Sequence, residues 1–402
     1  MRMRKDIDGV LAEKGLSAML LHSESCRNAN MYYLTEFLAP DPFIFLKRID
    51  EDPLIVVSQM ELPRAKEESI VKNVRSYADY DYVRIIKSAS DPKVGGMKFV
   101  AAVAKKELGT GKPVYVPPAF SAMLADVLRN EGLKITPMFD VVEKARETKE
   151  SEEIEAIKSV QETVEEATSK AIEFIVNAEV GTDGTLLYRE DGKKKPLMVG
   201  RIRAIFDHVF ADRGCVAAEE TIVACGPKCA IPHYSGGARD VLKANQTIVF
   251  DVFPRSVKKR YVSDMTRTIV KGRASGAVKK MFETVFQVRG AVLDAVKAGV
   301  PGNKMQELCY DIFEKAGYET VKGGKKISKG YVHSIGHGVG LDVHEGPSMG
   351  EFSKNPLEEH NVVTVEPGLY DPEIGGVRIE DIVEVTKKGC NNMTKMDICL
   401  EV

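Results

Sequence analysis

Apolar residues in the first ~145 positions follow two rhythms. Four short runs, SAMLLHS (17–23), PFIFLKR (42–48), PLIVVS (53–58) and PVYVP (113–117), have the length and the flanking residues of strands. Between them, apolar positions three and four apart predict helices over 4–15, 60–68, 97–107 and 119–131. Alternation of this kind reads as an α/β domain of modest size. A charged stretch, EKARETKESEEIEAIK (143–158), then opens a long helix. In it Ile154, Ile157, Val160, Val164, Ala167, Ala171 and Phe174 recur at steps of three and four. Glu150, Glu152 and Glu153 sit where the positive end of the helix dipole favours negative charge. We place a boundary there, giving domains 1–145 and 146–402; a chain this long exceeds one compact core.

The second half is richer in strand patterns. TIVFDVFPRSVKKRYVSDMTRTIV holds two β-rich runs, Thr247–Phe253 and Tyr261–Val270, around a basic loop, and reads as a hairpin. A turn centred on Val257 and Lys258 puts Asp251 directly opposite Asp264. Two carboxylates facing each other ~5 Å apart repel. They need a cation between them or a shared proton, or else the register differs and both are exposed. In NVVTVEPGLY, Val362, Thr364 and Glu366 share one side of a strand that ends at Pro367. GGVRIEDIVEV alternates as one strand, with Val377, Ile379, Asp381, Val383 and Val385 on one face and Arg378, Glu380, Ile382 and Glu384 on the other. Glu380 would need a partner if buried, and its neighbour Arg378 would serve; Asp381 reads as structural.

Composition narrows the class. Net charge is −2 with both signs interspersed, which gives no case for a nucleic-acid surface. No run of ~18 apolar residues appears, so no membrane span is expected. The basic start, MRMRKDIDGVLAEKGL, carries Asp6 and Asp8 where a signal peptide needs an apolar stretch. Seven scattered cysteines read as reduced thiols of a cytoplasmic protein, and Cys225 and Cys229 read as packing residues.

The densest chemistry is HSIGHGVGLDVHE (333–345), which holds three of the seven histidines on a glycine-rich backbone. A phosphate loop is excluded because no Gly-Lys-Ser/Thr follows. A helical His333/His337 metal pair is disfavoured by the glycines, and no nucleophile-elbow motif supports a Ser-His-Asp hydrolase. With Asp251, Asp264, Glu366 and Glu380, an imidazole from this loop suits two divalent ions that activate a water and polarise a carbonyl. The glycines would allow unusual backbone angles and close approach. His22, His208 and His360 read as packing or surface residues.

The order Asp251, Asp264, His337, Glu366, Glu380 resembles the dinuclear metallopeptidases of the pita-bread fold, which include methionine aminopeptidase, aminopeptidase P, prolidase and creatinase. HSIGHGVGLDVHE resembles the proline-peptidase branch, since methionine aminopeptidases lack the histidine at the position of His333. The resemblance covers 146–402 well and extends more weakly to the front through NMYYLTEF (30–37) and SQMELPRA (58–65). It implies an α/β front domain and an α+β catalytic domain built as a curved antiparallel sheet covered by helices. By resemblance, Asp251 chelates one metal, His337 holds the other with Glu366, and Asp264 and Glu380 bridge the two. Glu366 is also the general base, His233 contacts the scissile peptide, and His344 stabilises the tetrahedral intermediate. His333 and Arg378 line the proline side and hold the substrate carboxylate, while Ser263 and Thr266 support Asp264. The implied function is a metal-dependent Xaa-Pro exopeptidase of the prolidase type, homodimeric, with two Mn or Co ions, Zn and Fe also compatible. Aminopeptidase P action on longer peptides, a creatinase-like amidohydrolase and a non-catalytic binding protein are the alternatives. Relative to the family pattern the segment from Asp251 to Asp264 is two residues longer, with Pro254 and Arg255; symmetric lengthening would keep the facing partners.

Overall fold

The structure, a computed structural model, describes residues 6–402. Contacts divide the chain into two units, Met1–Arg146 and Glu147–Val402. Of the helix expected over 4–15, residues 4 and 5 lie outside the described part, and Asp6–Glu13 is helical.

The first unit is built on one six-stranded sheet among the described residues. Its strands are β1 (Ala18–Ser23), β2 (Phe43–Arg48), β3 (Leu54–Val57), β4 (Asn73–Ser76), β5 (Pro113–Val116) and β6 (Lys134–Pro137), in the order β4-β3-β2-β1-β5-β6. The central β1–β2 and β2–β3 pairs are antiparallel and the outer pairs parallel. β1, β2 and β3 are buried almost throughout, which is why they read as continuous apolar runs.

The second unit carries short strands: β7 (Glu179–Val180), β8 (Leu186–Glu190), β9 (Lys193–Pro196), β10 (Cys215–Ala217), β11 (Ile222–Cys225), β12 (Thr247–Val252), β13 (Pro254–Ser256), β14 (Met265–Val270), β15 (Val362–Val365), β16 (Gly368–Asp371), β17 (Gly375–Arg378), β18 (Asp381–Val385) and β19 (Cys390–Asn392). Every pairing between these named strands is antiparallel, the principal groups being β11-β12-β14, β15-β18-β19 and the β16-β17 hairpin. Ile248, Phe250 and Val252 of β12 pack with Val160, Val164 and Ala167 of the long helix Ser151–Val176 and with Phe206 and Phe210 of the helix Val199–Asp212. Each such apolar side chain contributes roughly 2 kcal/mol by leaving water. A second cluster joins the helices Gly276–Ala295 and Gly302–Lys315 to Val363, Val365, Leu369, Val377 and Val383. Alternation therefore turns Thr247, Val249 and Asp251 of β12 away from its helices. No helix of the described residues is long and apolar enough to cross a membrane.

Two expectations about strands are corrected. The hairpin register is Asp251↔Thr266 and Val252↔Met265, not Asp251 opposite Asp264. The bridge Arg255↔Val262 and the bond from Ser256 N–H to Tyr261 O continue the same register, so the turn is centred on Lys258 and Lys259. Arg260 closes it in the left-handed region with φ 66°. Moving a turn centre by one residue moves each facing partner by two, which preserves faces: Asp264 and Thr266 still share the face of Asp251. The run GGVRIEDIVEV is likewise not one strand. It breaks at Ile379–Glu380, so that β17 pairs with β16 while β18 pairs with β15 and β19.

That break is pinned by a buried ion network. Asp381 is fully buried and receives Arg267 Nη2 at 3.0 Å, Arg289 Nε at 2.6 Å and Asn392 Nδ2 at 2.9 Å. Arg267 Nη1 also donates to the carbonyls of Thr266 (3.0 Å) and Glu380 (2.7 Å). The sequence reading of Asp381 as structural agrees with this. Removing the anion leaves two guanidinium groups facing each other in a dry interior. Asp381→Ala is therefore expected to cost about 3–5 kcal/mol, read as a lower urea midpoint at unchanged slope.

Candidate active site

A cavity of about 560 Å³ in the second unit is lined by Asp251, Asp264, His337, Glu366, Glu380, His333, Arg378, His233 and His344, the nine site residues expected from sequence. They arrive from separate elements. Asp251 is the fifth residue of β12, and Asp264 immediately precedes β14. Glu366 immediately follows β15, and Glu380 sits in the break between β17 and β18. His337 and His344 lie on the loop that runs beside β15.

That loop behaves as an extra strand. Thr364 N–H donates to His337 O (2.8 Å), Glu366 N–H to Ile335 O (2.9 Å) and Val339 N–H to Val362 O (3.0 Å). The alignment sets His337 and Glu366 together, with Nε2 and Oε1 3.4 Å apart. The glycines serve close approach and not unusual angles, because Gly336, Gly338 and Gly340 all avoid positive φ. A Cβ on Gly336 would stand 2.1 Å from Thr364 O, and one on Gly338 2.1 Å from Gly346 O. Behind the loop, Glu345 accepts from Lys149 Nζ at 2.7 Å and from the backbone of Leu341 at 3.1 Å, in an ion pair whose side chains are 1% and 7% exposed.

The tautomer of His337 follows from its neighbours. Nδ1 lies 3.1 Å from Gly338 O, an acceptor, so Nδ1 carries the proton. Burial, then the neighbouring His344, lowers its pKa to about 4. The ring is therefore neutral at pH 7 and presents a lone pair at Nε2, the form that ligates metals. Asp264 Oδ2 lies 3.8 Å from that nitrogen. Ligand atoms of Asp264, His337 and Glu380 all come within 4.8 Å of one another.

The carboxylates are crowded and dry. Burial, then Glu380, Asp251 and Glu366, hold the Asp264 pKa well above the ordinary carboxylate range. Burial does the same to Glu380 and raises Glu366 to about 8. Among the described residues, Arg378 is the one Lys or Arg that lines the cavity. Asp264 is 3% exposed, and its Oδ1 is buried without a hydrogen-bond partner. An orphaned carboxyl oxygen beside two other carboxyls and a neutral imidazole fits a divalent cation, which would take the place of a proton.

Arg378 is more engaged than the sequence suggested. Its Nη2 donates to Asp251 Oδ2 (2.6 Å), Nη1 to Tyr370 Oη (2.9 Å) and Nε to Thr266 Oγ1 (3.1 Å). Among the described residues one N–H on each terminal nitrogen is left unspent. The Tyr370 hydroxyl, accepting from Arg378, donates to His333 Nε2 at 2.8 Å, while His333 Nδ1 donates to Ser334 O at 2.7 Å. Tyr370 was missed in the sequence. The register that finds it is Tyr370↔Gly376 beside Gly368↔Arg378, where each large polar side chain faces a glycine. Thr266 Oγ1 lies 3.0 Å from Asp251 and 2.8 Å from Glu380, with one proton to serve both. Ser263, expected to support Asp264, instead donates to Gln161 Oε1 at 2.6 Å. The His233 loop is tied by Asp240, which accepts from Lys228 Nζ (2.8 Å), Tyr234 Oη (2.6 Å) and Gly237 N–H (3.0 Å).

Comparison with known proteins agrees with this chemistry. Residues 155–387 match the model of metallopeptidase family M24, and residues 3–147 match the creatinase/prolidase N-terminal domain. An Xaa-Pro dipeptidase of Pyrococcus horikoshii is 27% identical over 98% of this chain and 97% of its own length. One from Pyrococcus furiosus is 32% identical over 64% of this chain and 66% of its own. A solved X-Pro aminopeptidase of Thermotoga maritima superimposes with a TM-score of 0.77 at 25% identity, covering 99% of both chains. With a creatinase-type front domain and a pita-bread catalytic domain, the chain belongs to metallopeptidase family M24, the metal-dependent hydrolases.

Proposed function

We propose that the chain is a prolidase-type exopeptidase that cleaves the bond between an N-terminal residue and proline, Xaa-Pro dipeptides first. The observation that carries the reading is the juxtaposition of Asp264, His337, Glu366 and Glu380 in one cavity with Arg378 and His333, which Tyr370 links by hydrogen bonds. The names of the similar dipeptidases support the same substrate class. In this reading residues 146–402 form the catalytic domain. Asp251, Asp264, His337, Glu366 and Glu380 would hold two divalent ions, Mn or Co by preference, with Zn or Fe compatible. Bound there, such ions lower the pKa of water and polarise a carbonyl. By family resemblance the working form is a cytoplasmic homodimer.

The chain's own groups do the rest. Glu366 takes a proton from the attacking water and returns it to the prolyl nitrogen as the C–N bond breaks. His344, its ring centroid 4.2 Å from that of His337, is assigned to the developing oxyanion. His233 contacts the scissile peptide. Arg378, with its two unspent N–H groups, and His333 through Tyr370 face the proline side and its carboxylate. A second reading, cleavage of longer Xaa-Pro peptides, is favoured by the likeness to the Thermotoga aminopeptidase.

Released methionine from Met-Pro and from Met-Pro-Gly tests both readings on metal-stripped protein with and without added Mn or Co. Metal-dependent cleavage of Met-Pro is expected. Cleavage of the tripeptide alone would favour the second reading, and no cleavage of either by metal-loaded protein would overturn both. Glu366→Gln should lower kcat for Met-Pro by roughly 10²–10⁴, with the fold unchanged by circular dichroism.

The pKa shifts also set a pH dependence. A carboxyl raised from 4.5 to about 8 binds more protons folded than unfolded, so its contribution to stability falls as pH rises through that interval. His333 and His337, lowered from 6.5 to about 3 and about 4, act oppositely, but only below 6.5. Between pH 6.5 and 8 the carboxyls act unopposed by these histidines. Metal-free protein should therefore lose urea stability over that range, and Mn should bind more tightly as it displaces protons. A flat stability profile without metal would contradict the charge crowding described above.

A further inference from the structure

The proposed reading assigns the centre of the cavity and its proline side, and leaves one wall without a role. That wall is apolar. Ile222 lies directly across from Asp251 on the neighbouring strand, and Phe253 follows Asp251 by two residues. Val343 precedes His344, and the three belong to one apolar cluster. His333 packs on Tyr331, part of the other large cluster, and on Tyr370. The two walls thus differ in chemistry: aromatic and cationic on the His333 side, apolar and uncharged on the Ile222 side.

Two further carboxylates, Glu219 and Glu220, shortly precede Ile222 in the chain and line the same cavity. Six carboxylates line the cavity, and four of them form the central cluster. Glu220 is already neutralised, accepting from Arg203 Nη1 at 2.7 Å and from Ser235 Oγ at 2.7 Å. Glu219 is exposed and makes no hydrogen bond or ion pair among the described residues. Arg255 lies within Coulomb range of it, but shares that range with Asp342 and directs Nη2 to Leu341 O at 3.4 Å. Arg260 also faces Arg255, so charges of both signs meet at this mouth, and Glu219 is the cavity-lining carboxylate that forms no hydrogen bond or ion pair among the described residues.

From this we propose, on the Xaa-Pro reading above, that Glu219 makes the enzyme prefer a basic residue before proline. The aliphatic stem of a lysine or arginine would lie along Ile222, Phe253 and Val343, and its cationic head would reach Glu219 in solvent, the usual division for these amphipathic side chains. A solvent-exposed ion pair of this kind gives a roughly two- to fivefold preference at low salt.

The test compares kcat/KM for Lys-Pro, norleucyl-Pro and Glu-Pro on the full chain loaded with Mn. Norleucine keeps the stem of lysine and lacks its charge. In the natural sequence Lys-Pro should exceed norleucyl-Pro by roughly two- to fivefold, with Glu-Pro lowest, and 0.5 M NaCl should compress the series. Glu219→Gln should bring the Lys-Pro to norleucyl-Pro ratio close to one, and Glu219→Lys should invert it. Ratios taken within one variant cancel any loss of folded protein. A Lys-Pro ratio of one in the natural sequence, or one unmoved by Glu219→Lys, overturns the assignment and leaves the Xaa-Pro reading standing. Failure of the Mn-loaded natural protein to cleave any of the three, or Met-Pro, removes the Xaa-Pro reading and this assignment with it.

Discussion

Four carboxyl groups within reach of one another, three of them buried and Glu366 partly so, constrain everything around them. Like charges in a dry cavity repel strongly, and burial alone disfavours each ionised form. Among the described residues Arg378 is the sole lining guanidinium, and its nearest carboxylate contact is with Asp251. The remaining three must keep protons or meet an external cation. Folding cannot supply that cation, so the scaffold has to hold the acids together without one. It does so through side chains that are not themselves part of the charge cluster. Thr266 lies between Asp251 and Glu380, and Arg267 fixes the backbone carbonyls of Thr266 and Glu380 from behind. Asp381, on the far side of the same backbone, balances Arg267 and Arg289. One face of this stretch thus holds charge that seeks an ion, while the other holds charge already matched.

The histidine loop solves the complementary problem of bringing a neutral donor to the acids. Its hydrogen bonds to β15 give it strand-like register, and register is what aligns His337 with Glu366. Close packing replaces side chains on the loop: at Gly336 and Gly338 neighbouring carbonyls occupy the space a Cβ would need. The buried Lys149–Glu345 pair then holds the return of the loop near His344. A loop bound along its length in this way has little freedom to relax if one glycine gains a side chain.

Much of this was legible from residue types and alternation. Helical spacing marked the long helix over 151–176, and the apolar runs marked β1, β2, β3 and β5. Period-two alternation put Thr364 and Glu366 on one side, as found. Other features depended on information that alternation does not carry. The Asp251–Asp264 register turned on which residue of the basic loop would accept a left-handed angle, and Arg260 did. The break at Ile379–Glu380 came from Arg267 and Asp381, whose pairing is long-range. Tyr370 acquired its place through facing glycines on a hairpin only the fold defines. Short elements without a periodic face were also missed. The helix Ala29–Thr35 is buried nearly throughout, so it has no polar side to betray it. The helix Tyr82–Ser88 has no fully buried residue, and β4 and β6 are four-residue edge strands.

Depth in the cavity separates two kinds of charge. At the bottom, desolvation makes each interaction strong and each substitution costly, so the residues there are bound to one arrangement. At the mouth, water screens the same Coulomb forces down to small factors. Glu220 is tied to Arg203 and Ser235, and through them to the loop that carries His233, whereas Glu219 forms no hydrogen bond or ion pair among the described residues. A carboxylate in that position can change sign or vanish with little cost to the fold. The cluster below fixes what reaction is possible, and the rim is where selection among substrates can be adjusted independently of it.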